Sequence, residues 1–330
     1  MSDPSAEEAM LEQLRELARQ ADWNGVRALG VSPPLAGRVE AGLLVSEAEL
    51  RQGDTVQARI RLQWVTPEAE RLRDPAALRR ATNMLGAAHF ELGELDEAEA
   101  AFERALGEAS RDGDHLTSAR ATNNLGLIAN VRGQHDAALG YYRVALPAYQ
   151  RLGFTSGIGE TTHNIAITLR DLGQFEEADR QERRAIEFAV DCGNRRLAAM
   201  ARAGRAELAL RRGEPLVARA DGGLAALEFE ELGDVLSEAD ALRIVGRARL
   251  ALGDVDLAAG ALTAAIDAAN RQTGPLIEAE SRWARAEVFL ARGERAAAEA
   301  DIDAARELFD RVQAGAERVR LDQWWAAAES

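Results

Sequence analysis

Small and apolar residues recur along the chain with a spacing of forty residues. One position holds alanine in every copy, a second holds alanine or valine, and a third holds glycine, alanine or serine. The three sets are Ala58, Ala98, Ala138, Ala178, Ala218, Ala258 and Ala298; Val65, Ala105, Ala145, Ala185, Ala225, Ala265 and Ala305; and Ser46, Gly86, Gly126, Ala166, Ala206, Gly246 and Ala286. A fixed period of this size predicts a solenoid, in which each unit contacts mainly its neighbours.

Glycine follows the same period between these sets. The seven turn glycines are Gly53, Gly93, Gly133, Gly173, Gly213, Gly253 and Gly293. We expect each of them to end a helix in the left-handed conformation, which glycine adopts without steric cost. The small residues on either side then lie on the packed faces of two helices, helix A before the glycine and helix B after it. Further glycines at the predicted joins between units are Gly113, Gly153, Gly193 and Gly233.

Other residues predict how the helices begin. Asp96, Asp136 and Asp256 closely follow a turn glycine, and we expect them to cap helix B. Prolines are expected at helix starts or between units, at Pro67, Pro75, Pro147, Pro215 and Pro275.

The predicted organisation is one array with a capping segment at each end. Residues 1–35 form two capping helices that are out of phase with the glycines, at Ser5 to Gln20 and Asp22 to Leu29. Seven repeats follow over 36–314, and 315–330 form a last capping helix with Trp324 and Trp325. Adjacent tryptophans there either seal the exposed end of the core or dock a partner, such as a second copy of the chain.

Composition agrees with an all-α protein. Alanine, leucine, arginine and glutamate, which are strong helix formers, dominate the chain, and no β-type alternation is sustained. The net charge is −15 and none of the forty basic residues is lysine, so we expect no nucleic-acid partner. Neither a membrane-spanning segment nor a signal peptide is evident, and the single cysteine, Cys192, excludes an intramolecular disulfide. These features predict a cytoplasmic protein.

Several segments resemble tetratricopeptide repeats. They are Ala81-Thr-Asn-Met-Leu-Gly86 with Glu91-Leu-Gly93 and Asp96-Glu-Ala98, and Ala121-Thr-Asn-Asn-Leu-Gly126 with Gly133 and Ala138. The resemblance covers residues 40–310 and departs from the family in two ways. The proline that often ends the repeat is replaced by Ser110, Gln150, Val190 and Glu230, and the period is forty instead of about thirty-four. The longer period is similar to that of Pins-type adaptors, kinesin light chains and bacterial regulators of the Rap, PlcR and MalT type.

The resemblance implies a right-handed superhelix of antiparallel helix pairs that binds an extended peptide or partner helix on the concave surface lined by helix A. The family's groove positions fall thirteen, ten, nine and six residues before each turn glycine. Transferred to this sequence, they give a candidate binding set of Arg80, Asn83, Arg120, Asn123, Asn124, Leu127, His163, Asn164 and Ile167. Arg243 and Arg247 extend the set into the C-terminal half, where the corresponding surface has mixed charge.

The asparagine row, defined as Asn83, Asn123, Asn124 and Asn164, has two interpretations. Each amide both donates and accepts hydrogen bonds, so the row could hold the main chain of a peptide. The alternative is that these amides bond the neighbouring helices or solvent. His163 in the same groove could donate, accept or respond to pH.

Arg205 and Arg285 occupy a position that is apolar in most repeats. They either pair with carboxylates inside the solenoid or form a buried anion site, and unpaired buried charge is costly.

Motifs for catalysis, cofactors or metals are missing: there is no phosphate loop, CxxC or HExxH, and the four histidines share no ligand spacing. We therefore expect a non-catalytic, cofactor-free interaction scaffold. The alternative is a peptide-responsive sensor of a bacterial regulatory system. Only about 35 residues precede the array, so such a sensor is expected to act in trans or to be a piece of a larger regulator.

Overall fold

The computed structural model describes residues 4–272, 274–312 and 314–329, and within them it contains seventeen helices and no strand. The helices are α1 Pro4–Arg19, α2 Trp23–Gly30, α3 Val39–Arg51, α4 Thr55–Arg71, α5 Pro75–Glu91, α6 Leu95–Asp112, α7 His115–Val131, α8 His135–Leu152, α9 Thr155–Asp171, α10 Phe175–Asp191, α11 Arg195–Arg211, α12 Pro215–Leu232, α13 Val235–Ala251, α14 Val255–Arg271, α15 Pro275–Ala291, α16 Arg295–Arg311 and α17 Gly315–Glu329. Residues 1–3, 273, 313 and 330, which belong to the predicted capping segments and repeats, lie outside the described residues.

The fold is an all-α solenoid of antiparallel helix pairs, as the sequence predicts. Seven pairs run from α3/α4 to α15/α16, and the odd-numbered member of each pair is helix A. Helices α1, α2 and α17 occupy the two ends. No helix in the described part of the chain is long and apolar enough to cross a bilayer.

The turn glycines adopt the predicted conformation. Their φ angles lie between 73° and 84°, and the join glycines have φ between 64° and 70°. At the equivalent join of the first pair, Arg73 has a φ of 55° without being glycine. The prediction that glycine ends helix A in every unit is confirmed.

The small residues before the turn glycines allow helix B to approach helix A. A Cβ atom built on Gly86 would lie 2.7 Å from the ring of Phe102, and one built on Gly246 would lie 2.5 Å from Leu262 Cγ. In the α11/α12 pair the smaller residue is on helix B instead of helix A: Ala206 on helix A faces Gly222 on helix B. Each pair is therefore packed by size-complementary residues, in which a larger side chain on one helix requires a smaller one on the other.

The predicted caps of helix B are wrong. Helices α6, α8 and α14 begin at Leu95, His135 and Val255, so Asp96, Asp136 and Asp256 lie inside the first turn, where a carboxylate favours the helix dipole. Side-chain caps occur instead on helix A. They come from residues directly after the join: Asp74, Asp114, Asn194 and Asp234, each of which accepts a hydrogen bond from a backbone N–H three residues later.

The proline prediction holds in part. Pro75, Pro215 and Pro275 begin α5, α12 and α15, where the missing N–H removes no helical bond. Pro67 and Pro147 lie inside α4 and α8 and were wrongly predicted to be at helix starts or between units.

The helices group into two compact units, Met1–Thr168 and Leu169–Ser330, with the boundary inside α9. In the first unit, α1 and α2 bury Leu11, Leu14 and Val26 against α3. In the second, Trp325 of α17 is 6% exposed and packs with Ile302 and Phe309 of α16. The tryptophans therefore contribute to the core at the end of this unit.

Arg205 and Arg285 form ion pairs. Arg285 makes a bidentate contact with Asp301, with nitrogen–oxygen distances of 2.7 and 2.8 Å. Arg205 lies 3.3 Å from Asp179 and 3.4 Å from Asp221. Both contacts join a helix A to a neighbouring helix B, as the ion-pair interpretation predicts.

Candidate functional site

The A helices line one face of each unit. Helix α5 contacts both α3 and α7 in the first unit, and α13 contacts both α11 and α15 in the second. No two B helices come comparably close in the described residues. The A helices are thus nearer to one another than the B helices are, so their shared surface, the A-helix face, is the inner one.

The asparagine row forms a chain of hydrogen-bonded amides across three A helices of the first unit. Asn164 Nδ2 on α9 donates to Asn123 Oδ1 on α7 at 3.2 Å, and Asn123 Nδ2 donates to Asn124 Oδ1 at 3.4 Å. Asn124 Nδ2 then donates to Asn83 Oδ1 on α5 at 3.5 Å. The hydroxyl of Thr161 also donates to Asn123 Oδ1 at 3.0 Å. The amides therefore connect neighbouring helices.

Burial divides the predicted binding residues on this face into two groups. Asn123 and His163 are each 5% exposed and Asn164 is 8% exposed, so these three lie below the surface. Asn83 and Asn124 are half-buried, and within the described residues Asn83 Nδ2 has no hydrogen-bond partner. The exposed end of the amide chain is therefore at α5, and its buried end is at α9.

The remaining predicted residues of the first unit lie on the same three A helices as the asparagine row. Leu127 and Ile167 are half-buried apolar residues on α7 and α9. Arg80 donates to Glu47 of α3 at 2.7 Å, and the guanidinium of Arg120 lies 5.2 Å from the ring centre of Phe154. Burial acts to raise the pKa of Glu47, but the charges of Arg51 and Arg80 outweigh it and lower that pKa. Glu47 is thus a charged partner that holds Arg80 in place.

The A-helix face of the second unit carries an ion network. Arg243 of α13 contacts Asp240 at 2.7 Å, Glu280 of α15 at 3.3 Å and Glu207 of α11 at 3.8 Å. Arg247 reaches Glu207 at 3.9 Å and stays about 41% exposed. Of the two arginines predicted to bind a partner, Arg243 is held by three carboxylates and Arg247 is more accessible.

The pKa values of the carboxyls on this face are shifted in opposite directions. Burial raises the pKa of Glu280 and of Glu287, and neighbouring arginines only partly oppose it. Burial also acts to raise the pKa of Glu207, but Arg243 and Arg247 together hold that pKa below its usual range.

Asp240 and Glu280 lie thirteen residues before a turn glycine, as Arg80 does. The prediction missed them because it used that position only in the second to fourth repeats. No group of three or more histidine, cysteine, aspartate or glutamate side chains suited to a metal occurs among the described residues.

Comparison with known proteins identifies the repeats. Family models described as tetratricopeptide repeat match residues 76–151 and 159–190. No curated protein sequence matches the chain.

Solved structures of similar fold share only a small part of their sequence with this chain. A Rap protein complexed with competence and sporulation factor is 15% identical, with a TM-score of 0.66, and 98% of each chain is covered. NprR in complex with its cognate peptide NprX is 13% identical, with a TM-score of 0.63 and coverage of 99% of this chain and 98% of that one. Aspartyl phosphate phosphatase F from Bacillus subtilis is 13% identical, with a TM-score of 0.59 and coverage of 100% and 94%. At these identities the likeness shows the fold, which agrees with the repeat matches, and the segments 76–151 and 159–190 are tetratricopeptide repeats.

Proposed function

We propose that the chain is a non-catalytic interaction module that binds an extended peptide segment on the A-helix face of its first unit. The observation that carries this proposal is the amide chain, whose exposed end at Asn83 keeps a donor that no described residue occupies. An asparagine side chain has two donor hydrogens and an acceptor oxygen with two lone pairs, so Asn83 can bond both the C=O and the N–H of a peptide main chain.

The buried members of the row position the exposed ones. Asn123 accepts from both Thr161 and Asn164, which fixes the orientation of its amide. Its own Nδ2 then orients Asn124, and Asn124 orients Asn83. Asn123, His163 and Asn164 therefore act in our proposal as supports beneath the surface, because fixed amides lose less freedom when a ligand binds.

Side chains around the row supply selectivity. Leu127 and Ile167 offer apolar contacts to side chains of the ligand. Arg80 and Arg120 offer positive charge, with Arg80 held by Glu47 and Arg120 by Phe154. Independently of this site, Arg247 of the second unit is a separate candidate contact for a partner, and Arg243 supports it through Glu207. A net charge of −15 and a single cysteine favour a cytoplasmic setting without nucleic-acid partners.

A peptide-responsive sensor is the second candidate. The observation that favours it is that structures of similar fold include a Rap protein with a peptide factor and NprR with its cognate peptide. A sensor changes its helix arrangement when the peptide binds, whereas a static scaffold does not. Aspartyl phosphate phosphatase F is among the structures of similar fold, so an enzymatic role is the competing hypothesis.

The test is selection of random short peptides displayed on phage. We expect enrichment on the wild-type protein and on Gln150→Ala, which removes an exposed amide from helix B of the same unit, and no enrichment on Asn83→Ala/Asn124→Ala. Equal recovery on all three proteins would contradict the proposed site. Small-angle scattering with a selected peptide then separates the two candidates, since only a sensor changes its radius of gyration.

A further inference from the structure

The outward face of α12 carries an apolar stripe that no other part of its unit covers. Leu216, Leu224 and Leu227 are each more than half exposed. Ala220 and Gly223 lie between them on the same face, at helical spacing. Large exposed apolar residues grouped in this way are typical of interaction surfaces.

The repeat itself does not require this stripe. At the position of Leu227 the other B helices carry Pro67, Gly107, Pro147, Glu187, Asp267 and Glu307. At the position of Leu216 they carry Val56, Asp96, Asp136, Glu176, Asp256 and Ala296. Helix B usually turns polar or small residues outward at these two positions, so Leu216 and Leu227 are specific to α12, whereas the position of Leu224 is also apolar in Trp64 and Val144.

Gly223 lacks a structural reason within its own unit. A Cβ atom built on it would meet no atom within 4 Å, whereas one built on the adjacent Gly222 would lie 3.2 Å from Val245. Gly107, Gly140 and Gly260 inside other B helices are equally unconstrained, so Gly223 is distinguished by its place in the apolar stripe. A glycine at the centre of an apolar stripe lets the backbone of a second helix approach closely.

The charges along α12 favour a second copy as the partner. Exposed Arg212 and Arg219 lie at or near its N-terminal end, and exposed Glu230 and Glu231 lie at its C-terminal end. Arg212, Arg219 and Glu231 also contact Glu214, Asp254 and Arg195 of their own chain, respectively. Two copies of α12 packed antiparallel would place the basic end of each against the acidic end of the other. A parallel pair would place like charges together. A two-fold contact also needs only one surface patch, used by both copies.

We propose that the outward face of α12 is a homodimer interface, in which α12 of two copies pack antiparallel across Gly223. Leu216, Leu224 and Leu227 form its apolar centre, and the arginine and glutamate ends fix its direction. The proposal is independent of peptide binding, because the stripe lies on helix B and the asparagine row lies on A helices of the other unit.

The test is sedimentation equilibrium over about a hundredfold range of protein concentration. We expect the wild type to approach twice the chain mass of 35.7 kDa. Leu224→Arg should raise the dissociation constant at least about tenfold, because it places a charge in the apolar centre. The matched control is Val144→Arg, which changes an exposed apolar residue at the same repeat position on α8 and should leave the dissociation constant unchanged.

Charge reversal tests the antiparallel direction. Arg219→Glu should weaken the dimer, and the double variant Arg219→Glu/Glu231→Arg should recover most of the loss. A wild type that stays monomeric would overturn the proposal, as would a Leu224→Arg protein that dimerises like the wild type. The proposal would also be overturned if Ile60→Arg raised the dissociation constant as much as Leu224→Arg does. That result would indicate a head-to-tail contact with the exposed face of α4. Circular dichroism of each variant shows whether the helices stay folded.

Discussion

The ring of Tyr142 in α8 lies against Gly126 in α7, so closely that a Cβ atom on Gly126 would stand 2.5 Å from Tyr142 Cε1. Tyr142 is fully buried, and its ring cannot move away without disturbing the pair. Gly126 is therefore required by the packing of helix A on helix B. The turn glycines, in contrast, are required by their positive φ.

Gly126→Ala should lower the free energy of unfolding by about 1–3 kcal/mol, because the added methyl group overpacks the contact with Tyr142. The matched control is Gly140→Ala in α8, where a Cβ atom would meet nothing within 4 Å. That change should stabilise the protein by up to about 1 kcal/mol through helix propensity. Urea unfolding monitored by circular dichroism measures both, and a loss of similar size in the two variants would contradict the packing account.

Removal of the aspartate that caps a helix A should lower the stability of the protein more than removal of an aspartate from the first turn of a helix B. Asp74 accepts a 3.0 Å hydrogen bond from the N–H of Ala77, so Asp74→Ala should cost about 1 kcal/mol of stability. Asp96 caps no helix; it lies in the first turn of α6 and makes an exposed ion pair with Arg132 at 2.6 Å. Asp96→Ala should cost less, and thermal unfolding of the two variants compares them directly. A greater loss for Asp96→Ala would support the original capping prediction.

Trp325 tests whether α17 seals the core. Trp325→Ala should lower the free energy of unfolding by about 3–5 kcal/mol, because it removes a large buried side chain next to Phe309. Val319→Ala on the same helix removes an exposed side chain and should change stability little. A stable Trp325→Ala protein that has lost a dimer would instead indicate that α17 is the docking helix.

Ionisation of Glu287 and of Glu207 in the second unit should change the free energy of unfolding in opposite directions. The folded pKa of Glu287 is raised, so its ionisation destabilises the fold above that pKa, and the penalty disappears as the pH falls through it. The folded pKa of Glu207 is lowered, so its charge stabilises the fold above its unfolded pKa, and this contribution is lost as the pH falls through the folded value.

Glu287→Gln should therefore be more stable than the wild type at neutral pH, and Glu207→Gln should be less stable. The difference for Glu287→Gln should shrink as the pH falls toward about 4, where free carboxyls protonate, and the difference for Glu207→Gln should shrink only as the pH falls further. Unfolding midpoints measured over this pH range check the prediction. Two variants shifted in the same direction at neutral pH would contradict the assigned environments.

The forty-residue period predicts the helices well because the turn inside every helix pair depends on a local feature, a glycine with positive φ. The side-chain caps were missed because they were expected only after the turn glycines. The capping residue Asp114 follows a join glycine instead. Burial of Asn123 and Asn164 could not be read from the period, since it depends on how closely α7 and α9 approach. The partners of Arg243 were likewise beyond local reasoning, because two of its three carboxylates come from other helices.

The central claim is that the exposed amide of Asn83 holds a peptide main chain. Its most direct test is a double-variant cycle by isothermal titration calorimetry, using one selected peptide and a set of its analogues, each N-methylated at a single backbone amide. Gln150→Ala serves as the control protein. Asn83→Ala should weaken binding of the parent peptide about tenfold, the value of one to two lost hydrogen bonds.

For one N-methylated analogue, we predict that Asn83→Ala weakens binding less than it does for the parent peptide, because the bond from the peptide N–H to Asn83 Oδ1 is already absent and only the bond from Asn83 Nδ2 to a peptide C=O remains to be lost. Binding that Asn83→Ala leaves unchanged, or weakens equally for the parent and every analogue, would contradict main-chain recognition by the asparagine row.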